Sequence, residues 1–252
     1  MNHPLSVVII TYQEAKNIHR CISALRLVTD DIIVVDAESS DHTAQIASEA
    51  GATVVLNPWE GYGSARNSGA QRAKYDWILA IDADEVIDEH LAESIRRLSP
   101  TPGVIYQCNR LTQYCGRWIR HGSWYPEWKS RFYHREFHEW DDRPVHEQLT
   151  PQPRTERITG HLLHYAYDSH DQLVSRLERY ARLYHNDLTD NRMGASLLRA
   201  IGSATNMWIR DYIVKSGYRN GLDGRRIANA LAKYSYQKWS GKGLSDPERK
   251  SS

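Results

Sequence analysis

Tyr75-Asp76-Trp77-Ile78-Leu79-Ala80-Ile81-Asp82-Ala83-Asp84-Glu85 is an apolar run that ends in two aspartates separated by one small residue. It reads as a buried parallel strand that delivers Asp82 and Asp84 to its carboxyl end, the edge at which open α/β sheets bind their ligands. Two carboxylates at such a rim suit a hard divalent cation held against a diphosphate. A solvated strand-to-helix turn would use the same residues, so the pattern needs support from the rest of the chain.

Working outward, the first hundred residues alternate apolar strands with helical spacing, the pattern of βαβ units and a mainly parallel sheet. Strands are expected over Leu5 to Ile10, Ile32 to Val35, Thr53 to Leu56 and Trp77 to Ile81. Helices are expected over Glu14 to Leu25, Thr43 to Ala50, Gly63 to Ala73 and Glu89 to Leu98, with Ser40 or Asp41 as the N-cap of the second. From Val104 to about Tyr167 the pattern changes to β-like pieces rich in Trp, Tyr, His and Arg and broken by Gly and Pro, an antiparallel extension with loops. From about Asp168 to Trp239 the spacing is helical, and the last dozen residues are polar. The expected division is therefore one domain over 1–167, with a βαβ half (1–100) and an antiparallel half (101–167), and a helical, basic and aromatic extension over 168–252.

With 252 residues, 40% of them hydrophobic, the chain can bury a core large enough for an enzyme. A formal net charge of +1 gives the whole molecule no polyanion-binding signature, and no recognised nucleic-acid module accompanies it, so no nucleic-acid partner is expected. Cys21, Cys108 and Cys115 are odd in number and lack paired-ligand spacing, which favours reduced structural thiols in a cytosolic compartment. His134, His138, His146, His161 and His164 crowd one region, but the strand-like pattern and the missing cysteine pairs argue against zinc. Leu5 to Ile10 has neither the basic flank nor the cleavage pattern of a signal peptide, and no apolar run approaches the roughly 20 residues that span a bilayer.

In a parallel sheet the carboxyl ends share one edge, so Thr11 and Glu14 after the first strand, Asp36 at the end of the second, and Asp82 and Asp84 after the fourth converge on one cleft. Asp36 either caps the turn that follows it or accepts hydrogen bonds from a base or ribose. Gly61 to Ala70 is glycine-rich and opens a helix, so its amides and Arg66 can face an anion; equally, its small residues can pack tightly on the sheet.

Four ordered pieces together resemble the family 2 glycosyltransferases, nucleotide-sugar enzymes of the GT-A fold: Val7 to Glu14, Ile33 to Thr43, Gly63 to Asn67 and Asp82 to Glu85. The resemblance implies an α/β fold in which a Rossmann-like, mainly parallel sheet is flanked by helices, followed here by the helical extension. It places Thr11, Glu14 and Asp36 at the uracil and ribose, Arg66 near the nucleotide, Asp82 at the sugar nucleotide, and Asp84 with Asp82 on Mg²⁺ or Mn²⁺. Gln13 departs from the family, which usually carries Asn there. Further on, Arg143 to Leu149 and the Gly217 to Gly224 and Ala232 to Trp239 stretches resemble one subgroup, the bacterial lipopolysaccharide inner-core β-1,4-glucosyltransferases.

The expectation is thus a metal-dependent, inverting hexosyltransferase that moves glucose from UDP-glucose to a heptose of the lipid A-core oligosaccharide. Inversion needs a base for the acceptor hydroxyl. Glu147 is the candidate, the alternative being an ion pair with a neighbouring arginine; Asp141, Asp142 and Asp168 are substitutes for the role. Trp124, Arg131 and His146 are placed on the acceptor side. Between Arg192 and Lys242 basic residues far outnumber acidic ones and interleave with Trp and Tyr. That composition fits an anionic inner-membrane surface, with the protein peripheral on its cytoplasmic face, and fits equally an ordinary solvated helical face. Two rivals stand beside the transferase: a sugar-nucleotide nucleotidyltransferase, which would carry a glycine-rich loop where Thr11 to Glu14 stand, and a non-catalytic membrane-surface binder on a transferase-like domain.

Overall fold

The computed structural model describes residues 3–143, 147–151, 154–190 and 197–242. Along the chain run β1 (Leu5–Thr11), α1 (Ile18–Leu25), β2 (Ile32–Asp36), α2 (Thr43–Glu49), β3 (Thr53–Leu56), α3 (Tyr62–Arg72), β4 (Trp77–Asp82), β5 (Glu85–Ile87) and α4 (Glu89–Arg97). They are followed by β6 (Ile105–Tyr114), β7 (Arg117–Trp118), β8 (Glu127–His134), β9 (Glu139–Trp140), β10 (Leu149–Thr150) and β11 (Thr155–Tyr167). The helices α5 (His170–Asp190), α6 (Leu197–Trp208) and α7 (Leu222–Ser240) complete the chain; a π-helical turn, Ile209–Val214, and a 3₁₀ turn, Gly217–Asn220, lie between the last two.

Contacts group the chain into two compact units, Met1–Leu111 with Glu127–His164, and Thr112–Pro126 with Tyr165–Ser252. The segment 112–126 thus clusters with the helices that follow residue 164, not with the strands on either side of it.

The first unit is built on a sheet of order β3-β2-β1-β4-β8-β6-β11-β5. β1, β2, β3 and β4 are parallel, and β8 joins β4 antiparallel. Every residue of β1 and β2 is buried, as a strand covered on both faces requires. Alternation then divides the apolar residues between the faces. Val7, Ile9, Val34, Leu79 and Ile81 join one core cluster with Ile18 and Leu25 of α1 and Leu91 and Ile95 of α4. Val8, Ile10, Ile33, Val35, Ile78 and Ala80 join the other, against Ala65 and Ala70 of α3. The small residues of α3 are there for close packing: a Cβ at Gly69 would stand 2.4 Å from Val8 Cγ1, and one at Gly63 2.1 Å from the Asp141 carbonyl oxygen.

The N-cap position of α2 falls on His42, which makes no side-chain cap bond, and not on Ser40 or Asp41 as expected. Asp41 accepts from the Thr43 amide at the head of α2, and Asp88 accepts from Leu91 N at the head of α4. One element departs from expectation. The chain does not pass from Asp84 straight into a helix but reverses through Ala83 and Asp84 into β5, which pairs antiparallel with β11 and sets Glu85 opposite His164.

In the second unit α7 packs against α5 and α6, and Tyr114, Ile119, Leu173, Ile227 and Ala230 form its core. No helix of the described residues is long and apolar enough to cross a membrane. All three cysteines are free thiols; burial pushes Cys108 up to about 12, which leaves that thiol protonated and inert.

Candidate active site

The carboxyl ends of β2, β1 and β4 bring the expected groups to one edge. Thr11 and Asp36 are register partners across β1 and β2, and Asp82 pairs with Ile10 one step along β1. Side chains of register partners share a face, so Thr11 and Asp36 stand side by side. Both are buried, yet Thr11 Oγ1 and Asp36 Oδ2 have no hydrogen-bond partner among the described residues. Asp36 Oδ1 accepts from Ser39 N at 2.6 Å. One oxygen therefore caps the turn while the other is left for a donor from outside the chain, so the two readings of Asp36 coexist. Buried acceptors are rarely orphaned without a reason.

The loop after β1 is built by side chains. Glu14 accepts from Asn17 Nδ2, and its own amide donates to Thr43 Oγ1 at 2.9 Å, which ties the start of α1 to α2. Gln13 has φ +55°, in the left-handed region, and its Nε2 donates to Ser40 Oγ at 3.2 Å. Asn tolerates that backbone region better than most residues, which gives a physical reason for the Asn that the resemblance leads one to expect there. The extra methylene of Gln13 carries its amide out to Ser40.

Arg66 projects from α3 and is almost completely buried. Its Nη2 donates to Asp82 Oδ1 at 2.6 Å, its Nη1 donates to Glu147 Oε1, and its guanidinium lies 4.7 Å over the Trp140 ring. Glu147 is thus ion-paired, but with an arginine 81 positions away at the rim and not with a neighbour in sequence. Asp141 accepts from the Gln148 amide at 3.0 Å. Arg131 takes the other side of Asp82: its Nη2 is 2.6 Å from Asp82 Oδ2 and 2.8 Å from each oxygen of Glu85. Burial acts to raise the Asp82 carboxyl, but Arg131 and Arg66 outweigh it and hold the group well below its ordinary value.

Asp84 lies in the turn that leads from β4 into β5. Its Oδ2 lies 3.3 Å from His164 Nε2, with both side chains mostly buried. Among the described residues no three His, Cys, Asp or Glu side chains converge into a preformed metal cage. Asp84 and His164 nonetheless form a carboxylate–imidazole pair of the kind a divalent ion accepts when a diphosphate and water supply its other positions.

Of the residues expected on the acceptor side, Arg131 is the buried partner of Asp82, and His146 lies outside the described residues. Trp124 belongs to the second unit, where it stacks on Tyr167 with ring centroids 5.4 Å apart.

Several residues of the site escaped sequence reading. Glu85, wholly buried, joins Arg131 to Arg110, which lies 3.4 Å away, and it accepts from Asp82 N at 3.1 Å. Alternation offered a signal for His164, since it sits two residues after the buried Leu162 and so shares its face. For Glu85 no such signal exists, because a charged residue after Asp-x-Asp reads as surface.

Arg110 also holds Glu127 bidentate, at 2.8 and 2.9 Å, with Lys129 2.9 Å away. Burial acts to raise the Glu127 carboxyl, but Arg110 and Lys129 outweigh it and bring it from 4.5 down to about 2. A carboxyl whose folded value is depressed contributes stability that is complete above the unfolded value and lost as pH falls through the folded one. Glu127→Gln is therefore expected to lower stability at neutral pH and to flatten the loss between pH 4.5 and 2, as read by urea unfolding over a pH series. An unchanged acid limb would show that the pair is energetically silent.

A mainly parallel sheet with an antiparallel extension, its carboxyl-end rim gathering acids, a hydroxyl and a buried arginine, defines an α/β protein of the GT-A type. The chain belongs to Glycosyl transferase family 2, whose profile matches residues 6–151, and it is a glycosyltransferase. It is 27% identical over 234 residues to the uncharacterized glycosyltransferase RP128 of Rickettsia prowazekii, covering 87% of this chain and 80% of that protein. It is also similar to the lipopolysaccharide core biosynthesis glycosyltransferase LpsC of Rhizobium meliloti, 25% identical over 242 residues, with 92% of this chain and 89% of that protein covered. Among solved structures, the mannosyltransferase PcManGT of Pyrobaculum calidifontis, in complex with GDP-Man and Mn²⁺, shares the fold with a TM-score of 0.50 at 13% identity, over 94% of this chain and 72% of that one.

Proposed function

We propose that this chain is an inverting, metal-dependent hexosyltransferase that moves glucose from UDP-glucose to a heptose of the lipopolysaccharide inner core, working at the cytoplasmic face of the inner membrane. The observation that carries the donor half is the pair of orphaned buried acceptors, Thr11 Oγ1 and Asp36 Oδ2, side by side at the carboxyl-end edge of the sheet that also carries Asp82 with its partner Arg66. Acceptors so placed match the imide N–H of a uracil and the hydroxyls of a ribose. The acceptor half rests on the similarity to LpsC, whose name assigns it to lipopolysaccharide core biosynthesis.

Each residue then has a task. Thr11 and Asp36 orient the nucleoside, and Glu14 anchors the loop beside it. Asp82, clamped by Arg66 and Arg131, presents a fixed carboxylate edge to the sugar nucleotide. Asp84 and His164 would hold Mg²⁺ or Mn²⁺, which when bound stabilises charge on the departing diphosphate. Glu147 takes the proton of the acceptor hydroxyl, and its bond to Arg66 holds the carboxylate toward the rim.

The test is a donor screen in which purified protein, Mn²⁺ or Mg²⁺ and a panel of nucleotide sugars are incubated with and without deacylated core oligosaccharide, and nucleotide release is followed. UDP-glucose should lead the panel, and Glu147→Gln should lower acceptor-dependent turnover by about 10²–10⁴-fold while UDP binding is kept. Metal-independent release, or a Glu147→Gln enzyme as fast as the parent, would remove the mechanism.

A further inference from the structure

The second unit inverts the usual placement of charge and apolar surface. In the π-helical turn Asp211 is turned inward, 1% exposed, and accepts from Ser123 N at 2.6 Å, whereas Ile213 and Val214 are 54% and 72% exposed. The head of α7 repeats the inversion: Asp223 is buried against Arg117 at 3.0 Å, while Leu222 is 71% exposed. A water-facing turn has no reason to bury its acids and present its branched aliphatics, and π-helical turns tend to occur at functional places. Tyr218 joins the ridge, with Tyr212 in edge contact at 6.3 Å and Trp208 beyond it at 4.9 Å.

The charge left on the surface has one sign. Between Ile209 and Arg226 the acids are Asp211 and Asp223, both buried, whereas Arg210, Lys215, Arg219, Arg225 and Arg226 are exposed. A solvent-open cavity of about 220 Å³ lies beside the ridge, lined by Arg117, Arg120, His121, Arg219 and Asn220. It is tied to the ridge by two hydrogen bonds: Asn220 Nδ2 donates to His121 O and Gly122 N donates to Lys215 O, each at 2.9 Å. Arg120 and Arg219 have no acidic partner among the described residues, so the cavity carries uncompensated positive charge.

We propose that this face docks on an anionic bilayer, with Ile213, Val214, Tyr218 and Leu222 entering the headgroup boundary and the Arg120–Arg219 cavity taking a lipid phosphate. The pairing of an apolar ridge with a cationic cavity decides for a bilayer over a second copy of the chain, because like-charged faces repel. The proposal rests on the reading above only in supplying the membrane partner named there with a place on the chain.

Co-sedimentation with sucrose-loaded vesicles, in the absence of donor and acceptor, is the test. The parent chain should bind phosphatidylcholine vesicles containing phosphatidylglycerol, bind pure phosphatidylcholine weakly, and lose much of its binding in high salt. Arg120→Ala with Arg219→Ala should weaken partition roughly 30-fold, about 5-fold for each cation removed. Ile213→Ser with Val214→Ser should lower binding to both vesicle types. Circular dichroism and the thermal midpoint establish that each variant folds, and Leu222→Ser is the substitute if the π-turn variant does not. Binding that ignores anionic lipid, or that survives both double substitutions, overturns the proposal. So does a dimer in light scattering that Ile213→Ser with Val214→Ser dissolves, which would assign the ridge to a second copy. A chain that turns over UDP-sugar but ignores vesicles refutes this proposal alone, and one that binds vesicles without turnover refutes the transferase reading alone.

Discussion

Replacing Asp84 by alanine is expected to lower metal-dependent turnover of the nucleotide sugar by about 10³-fold or more. The loss corresponds to about 4 kcal/mol of charge stabilisation on the departing diphosphate, the scale a bound divalent ion supplies. Asp84 Oδ2 lies 3.3 Å from His164 Nε2, so the carboxylate and the imidazole are placed to share a cation. Folding should hardly change, because the side chain sits at the turn into β5 and not in the apolar core. Calorimetry separates this from a general defect: Mn²⁺ should strengthen UDP binding by the parent chain, and Asp84→Ala should abolish that enhancement while metal-free UDP binding persists. His164→Ala should weaken the enhancement without removing it. If Asp84→Ala keeps its Mn²⁺ response, the ion is held elsewhere and the assignment of Asp84 fails.

Arg131→Met is expected to have the largest effect on stability. Arg131 lies between Asp82 and Glu85, and both of its carboxylate partners depend on it. Glu85 is fully buried, and its remaining cation, Arg110, stands at a long 3.4 Å while also serving Glu127. Removing one partner of a buried pair leaves the other charge uncompensated in low dielectric, at a cost of about 3–5 kcal/mol. In a thermal melt that corresponds to a midpoint lower by roughly 10 °C. Urea unfolding of Arg131→Met, Glu85→Gln and the double variant forms the cycle. The double variant should be markedly less destabilised than the sum of the singles, because neutralising Glu85 removes the orphaned charge. Additive effects would mean that the two groups do not interact energetically, and the clamp would then be a geometric coincidence.

Much of the parallel half is legible from the letters because its physics is local. The strands Leu5 to Ile10 and Trp77 to Ile81 are apolar but for Ser6, the mark of a strand covered on both faces, and each is observed one residue longer, as β1 and β4. Small residues in α3 announce close packing, and Gly69 against Val8 shows why a side chain is excluded there. The antiparallel half is less legible. β6 and β11 run ten and thirteen residues, longer than the broken, aromatic pattern implies, because their alternation is interrupted by inward polar residues such as Asn109 and His164.

Parallel β-strands and chain order are enough to bring Thr11, Asp36 and Asp82 to one edge, since a sheet of βαβ units can place its carboxyl ends nowhere else. What each group does once there depends on partners far away in sequence: Arg66 reaches Glu147, Arg131 reaches Glu85, and His164 reaches Asp84. Charge pairing acts through space and leaves no periodicity along the chain, so the clamp around Asp82, and the pairing of Asp84 with His164, exist only once β8 and β11 have closed onto β4 and β5.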